Sequence, residues 1–228
     1  MQENKLNPRL LWFADRVRRG VLFCDIGTDH AKLPVYLVKS GKTAKAIAAD
    51  IGEGPIARAR LHIRANGCQN KIETAVADGL RGLAVSAPAD IAICGMGGET
   101  ICNILRNAPV IKNENIRLHL QPMTDFTLLR TFLAENGFVP IEEDIVLSEG
   151  RLYQCMVVSY TGTPYTLTAA EAELGKLCIQ TRSDTFLQYV KRRYAIVEKC
   201  LLGKQRSNLD VSEEQALLDA YSAILHSI

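Results

Sequence analysis

Three aspartates recur where strand-like runs of this 228-residue chain stop. Asp25 and Gly27 follow the apolar run 21–24, Asp50 closes 43–50, and Asp78-Gly79 follows 72–77. Open α/β sheets bind ligands beyond the carboxyl ends of their strands, so three acids there describe one acidic rim. Asp50 lies 23 residues after Gly27, a spacing that suits a carboxylate accepting from ribose hydroxyls. Asp78 is placed to accept from an adenine amino group. Such a rim repels a pyrophosphate. It suits S-adenosylmethionine (SAM), which carries an ammonium and a sulfonium but no phosphate. One Asp at a strand end is ordinary turn chemistry; three in register beside Gly27 and Gly79 favour a cofactor site.

Two further stretches have chemistry to account for. In FCDIGTDHAKLP (23–34), an acid and a histidine stand where nucleotide-binding loops carry glycine. With no pyrophosphate to cradle, Gly27 alone serves close approach and the next positions can carry side chains. In ICGMGGETI (93–101), Gly95, Gly97 and Gly98 surround Met96 at another strand end, leaving backbone exposed and space for something flat. A tight strand-to-helix turn would account for one or two of these glycines. His62 and His119 read as structural.

The elements that position these residues alternate. Strands at 21–27, 43–50, 72–78, 89–96 and 115–122 are separated by helices at 31–41, 55–67 and 99–108, and a further helix at 124–137 is capped by Thr124 or Asp125 and stopped by Gly137. Repeated βα units imply a doubly wound parallel sheet covered by helices. Residues 138–162 read as two strands joined by a turn at 148–151, a terminal hairpin. A doubly wound, Rossmann-like α/β sheet that ends in an antiparallel hairpin is the class I methyltransferase arrangement rather than a dinucleotide-binding one. Residues 1–163 form that domain. From 164 to 228 the pattern is a small, coiled-coil-like helical domain of two or three antiparallel helices, with capping boxes at Thr168/Glu171 and Ser212/Gln215.

Composition sets the remaining bounds. The 47% hydrophobic and 23% charged fractions are those of a soluble globular protein. No apolar run is long enough to span a membrane, and the absence of a signal core at the N-terminus points to the cytoplasm. Seven cysteines without a C-x-x-C pair read as buried thiols, and the four histidines show no metal-ligand spacing with them. Residues 1–70 carry 12 Lys/Arg against 6 Asp/Glu, a basic balance that suits an anionic partner or an ordinary surface. Within it, 6–20 is an amphipathic helix with Leu10, Leu11, Phe13 and Val17 placed to pack. Arg9, Arg16, Arg18 and Arg19 are left solvated, free for phosphates or for water. KRRY (191–194) divides the same way.

The segments DIGTDHAKLP (25–34), AADIGEGP (48–55), ADGL (77–80), ICGMGG (93–98), LQP (120–122) and GRLYQCMV (150–157) together resemble the bacterial tRNA adenine-22 N1-methyltransferases. The resemblance covers residues 5–160 by motif. Met123 and Gln154 depart from the family's usual Asn and Glu. It implies a SAM site formed by Asp25, Gly27, Thr28, His30, Asp50, Ile51, Asp78, Gly79, Leu80 and Gly95. It implies a tRNA-binding side formed by Arg9, Met96, Gly97, Gly98, Gln121, Pro122 and Tyr153, with no metal and no obligate protein partner. Adenine N1 has a lone pair and needs no base, but its product is cationic. A fixed carboxylate would stabilise that charge, and Asp29 is the candidate; its other role would be N-cap of a helix starting at Ala31. A class I methyltransferase acting on a protein or small molecule, and a non-catalytic RNA-binding relative, are the alternatives. The missing G-x-G-x-x-G disfavours an NAD-dependent oxidoreductase.

Overall fold

Residues 5–226 are described by a computed structural model. Seven strands, β1 (Leu22–Ile26), β2 (Ala46–Asp50), β3 (Ile72–Val76), β4 (Ala89–Met96), β5 (Ile116–Pro122), β6 (Phe138–Ser148) and β7 (Arg151–Tyr160), make one sheet in the order 3-2-1-4-5-7-6. β1 to β5 run parallel, and β7 inserts antiparallel between β5 and β6. The central strands are buried on both faces, which is why they read as continuous apolar runs. α1 (Pro8–Arg16), α2 (Lys32–Lys39) and α3 (Glu53–Ala65) cover one face with Phe13, Leu37 and Ile63. α4 (Gly98–Arg106) and α5 (Phe126–Glu135) cover the other with Ile101, Leu105 and Leu129. The doubly wound expectation holds. The chain runs outward from β1 to β3, then returns to place β4 on the far side of β1. The point of reversal therefore lies between β1 and β4, and a crevice opens at their carboxyl ends.

The hairpin turns through Glu149 (φ 51°) and Gly150 (φ 76°), the two left-handed positions a tight two-residue connection requires. Beyond it lie α6 (Ala169–Leu174), α7 (Lys176–Thr181), α8 (Asp184–Arg206) and α9 (Ser212–His226). The sequence suggested two or three helices. Gly175 (φ 90°) makes the difference by splitting 169–181 into two short ones. Phe186, Val190, Leu218 and Tyr221 form a third core here, which includes Ile145 of β6. The Thr168/Glu171 capping box forms. The second does not: the Ser212 N–H and hydroxyl both donate to the Asp210 carboxylate, at 3.0 and 2.9 Å.

Two other readings change. Asp125 occupies the N-cap position of α5 in a left-handed conformation (φ 56°) without a side-chain cap bond, and its carboxylate accepts from Thr124 Oγ1 instead. The arginines of 6–20 are not all solvated. Arg16 pairs with Glu142 at 2.6 Å and lies over the Trp12 ring, and Arg18 binds buried Asp90. Leu11, expected to pack, is exposed.

Candidate functional site

Gly27 (φ 79°) turns the chain out of β1. The N–H groups of Gly27 and Thr28 both donate to Ala49 O, at 2.8 and 3.0 Å, which ties the loop to the end of β2. Thr28 is buried, and its hydroxyl oxygen accepts from Ala31 N–H at 3.1 Å. Ala31 (φ 49°) is thereby the N-cap residue of α2, and Asp29 does not cap. Asp25 sits partly buried at the base of this loop. Burial pushes its carboxyl up to about 6, against the opposing hydrogen bond from Thr28 and the positive charge of Arg9. The neighbouring Asp50 charge pushes the same way as burial.

The loop borders a cleft of about 280 Å³ lined by Asn7, Arg9, Asp25, Asp29, His30 and Cys94, among others. Asp29 stands at its mouth and is not free. Its Oδ1 accepts from Arg58 Nε at 2.8 Å and from Arg58 Nη2, while its Oδ2 lies 3.1 Å from His30 Nε2. His62 Nδ1 is 2.7 Å from the His30 carbonyl oxygen, so this histidine steadies the loop as a structural residue does.

The β4 edge closes the other side. A bulge at Gly95 (φ 82°) shifts the β4–β5 register between Cys94 and Met96. Bulges re-aim side chains, and the Met96 methyl comes to lie directly over Gly27, where any β-carbon would overlap it. Gly98 has a packing role. A β-carbon on Gly98 would lie 2.9 Å from Thr124 O and closer still to Asp125 O, so this glycine lets α4 pack on the 124–125 turn. Gln121 is fully buried. Its Oε1 accepts from Arg9 Nη1, and its Nε2 donates to Pro122 O at 2.7 Å. The Arg9 guanidinium also lies 5.2 Å from the centre of the Tyr153 ring. Arg9, Gln121 and Tyr153 thus form one cluster against the cleft, with Arg9 turned inward rather than out to solvent.

Asp50 ends β2 with its Oδ1 accepting from Gly52 N–H at 2.7 Å. Ile51 beside it is 71% exposed, an apolar face next to a carboxylate. Asp78 lies beyond β3, exposed, 3.3 Å from Arg81. The three aspartates therefore share one edge on adjacent strands. Gly79 (φ 62°) serves packing, since a β-carbon would meet Ile104 at 2.9 Å, and the Leu80 side chain is buried in the core rather than at the rim. Gln154 departs from the site as well as from the family pattern: it is buried, donating to Tyr189 OH of α8 at 2.7 Å and to Glu173 O. Met123 is exposed, with its sulfur 3.3 Å from Gln121 Nε2. Sequence reasoning missed Arg58 as the partner of Asp29 and the inward course of Arg9. The one available signal was that α3 starts at the end of β2, which brings its first turns level with the β1 loop.

A methyltransferase-domain family model matches residues 6–156. The Bacillus subtilis tRNA (adenine(22)-N(1))-methyltransferase is 34% identical over 157 residues, 69% of this chain and 66% of its own length. Streptococcus pneumoniae Sp1610, assigned as a tRNA (m1A22) methyltransferase, is 31% identical with a TM-score of 0.84, over 97% of this chain and 100% of that one. The same protein in complex with S-adenosyl-L-methionine gives a TM-score of 0.83 at 30% identity. A Streptococcus agalactiae protein of the NADB-Rossmann superfamily reaches 0.86 at 29%, over 97% of each chain. Joined by domain model, by sequence and by nearly the whole length of its fold, the chain belongs to the methyltransferase-domain family and, within it, to the bacterial tRNA (adenine(22)-N(1))-methyltransferases.

Proposed function

We infer that this protein transfers the methyl group of S-adenosylmethionine to N1 of adenine 22 in tRNA. The observation that carries the reading is the meeting of Asp25 and Arg9 in one cleft at the β1/β4 reversal point, with the Asp50 carboxylate at the end of the next strand near enough to act on Asp25. The residues fit the cofactor. Asp25 and Arg9 offer a carboxyl and a cation side by side, matched to the ammonium and carboxylate of a zwitterionic amino acid. Asp50 offers a ribose acceptor held in place by Gly52, and Ile51 an apolar face for adenine. When bound, SAM supplies an electrophilic methyl group on a sulfonium. The protein's own task is then to orient the base and to stabilise the positive charge that builds on it. Asp29, at the cleft mouth, is our candidate for that stabilisation, with Arg58 and His30 fixing its two oxygens.

An adenine in folded tRNA must leave its stack to reach such a cleft, which asks for a second grip on the RNA. We assign that grip to residues 164–228. Arg192, Lys199 and Arg206 of α8 are exposed and seven residues apart, so they line one helix face and can meet phosphates. All seven cysteines are free, and Cys24, Cys102 and Cys155 are among those buried, in keeping with a reducing cytoplasm. Incubation with methyl-labelled SAM and unmodified bulk tRNA, followed by nucleoside analysis, should give labelled 1-methyladenosine. Label in a different nucleoside or in protein would replace the substrate, and no transfer at all would sink the reading.

A further inference from the structure

The helical extension meets the sheet through polar groups buried between apolar cores. Arg130 of α5 and Glu143 of β6 form an ion pair at 2.8 Å, with side chains only 5% and 2% exposed. Both belong to the methyltransferase fold, and both also reach into the extension. Arg130 Nη1 donates to Ala172 O and Glu173 O, carbonyls in the last turn of α6, which lack partners within the helix. Glu143 Oε2 accepts from Leu177 N–H in the first turn of α7, at 3.0 Å. The kink at Gly175 presents those two opposite helix ends to one ion pair. A β-carbon on Gly175 would lie 2.7 Å from Glu143 Oε1 and 2.9 Å from Arg130 Nη2, so the kink and the pair fit only each other.

The clamp extends to the long helix. The Glu173 carboxylate pairs with Arg193 of α8 at 2.7 Å and accepts from Thr127 of α5. Gln154 of β7 donates to Tyr189 OH of α8. Apolar contact alone is non-directional and allows sliding, whereas each of these bonds has a distance and an angle to satisfy. With 23 residues, α8 is about 35 Å long, so a small rotation at the junction displaces its exposed arginines and lysines widely.

We propose that Arg130 is a positioning residue: paired with Glu143, it sets the angle between the helical extension and the methyl-transfer cleft, and that fixed angle selects full-length folded tRNA over a short stem-loop bearing the same adenine. The inference rests on the tRNA reading given above. Two contacts on one rigid ligand reinforce each other only when geometry allows both at once. A loosened arm therefore costs the second contact and leaves the first intact.

The test uses the full chain and its Arg130→Gln variant. KM for full-length tRNA should rise about tenfold, with kcat and the calorimetric affinity for SAM unchanged and KM for the stem-loop unmoved, while the solution scattering profile changes. Tyr189→Phe, which removes one bond and leaves the ring packed, should move the same quantities in the same direction by about two- to threefold, and serves if Arg130→Gln does not fold. Equal losses on tRNA and stem-loop, weakened SAM binding, or a folded variant with unchanged tRNA preference would each overturn the proposal. If the wild-type chain methylates no RNA, the functional reading itself fails and the selection proposed here fails with it; the scattering difference would then still report on the clamp.

Discussion

Asp25 holds its proton more tightly than an exposed aspartate because burial penalises its charged form, and that carries two consequences. A carboxyl whose folded-state pKa of about 6 exceeds the ordinary 3.8 is a burden once both states are ionised. The cost is absent below pH 4, grows as pH rises through this window, and is complete above 6. Asp25→Asn should therefore raise unfolding stability by about 1–3 kcal/mol at pH 8 and change little at pH 3.5, read by urea titration. It should at the same time weaken SAM, and wild-type affinity should fall on acidification below 6, because the cofactor's ammonium needs the ionised form. Calorimetry at pH 5 and pH 8 checks this. Asp29 should behave differently: Asp29→Ala is expected to lower kcat by about 10²-fold or more while SAM still binds, and unimpaired turnover would remove it from the reaction. The strand-end aspartates could be recognised from spacing alone because β1, β2 and β3 are parallel neighbours in chain order. The Arg58 partner of Asp29 could not, because 29 residues separate them and any exposed arginine of α3 would read as a solvated face.

Periodicity was enough to place the sheet and its helices, since buried parallel strands carry continuous apolar runs whatever their partners. Helix ends were harder, because a cap depends on one backbone torsion that its neighbours set. Asp125 is a good capping type held at φ 56°, where it caps nothing, and Ser212 is displaced in that role by Asp210 two residues before it. The glycines of 95–98 divide for the same reason. Gly95 supplies a bulge and Gly98 a close helix approach, and the sequence does not distinguish either from a ligand cradle. Gly98 donates its N–H to Thr124 O at 3.0 Å while its α-carbon faces the Asp125 backbone. Gly98→Ala must push α4 away from that turn, and backbone cannot yield as a flexible side chain can. The variant should lose about 2–3 kcal/mol of stability in urea unfolding. Gly203→Ala on α8, where a β-carbon meets nothing, should be neutral or gain up to about 1 kcal/mol.

At the scale of the whole molecule, the hairpin and the change of pattern after residue 163 were both legible, but not how the parts hold together, because each join runs between distant segments. The helical extension shares Ile145 with the sheet, and α1 is bolted to the sheet by a residue that reads as a surface arginine. Arg18, just past α1, donates its backbone N–H and its Nε to the carboxylate of Asp90, which is fully buried in β4, and its Nη2 to Ala89 O and Asn115 O. His119 of β5 lies 3.3 Å from the same carboxylate. Burial opposes ionisation of Asp90, yet the nearby His119 ring and the hydrogen bonds from Arg18 outweigh it and hold its pKa below the usual carboxylate value. A depressed pKa contributes stability that is present above the unfolded-state value of 3.8 and is lost as pH falls through the folded-state value. Asp90→Asn should thus cost about 2–3 kcal/mol at pH 7 by leaving Arg18 without its anion, and the gap to wild type should close as pH is lowered below 4. Because this bolt fixes one end of α1 while Arg9 reaches the cleft from the other, the variant should also show faster amide exchange through α1 and weaker SAM binding. Exchange confined to the β4 and β5 strands, with α1 and SAM affinity untouched, would show that the bolt serves the core alone.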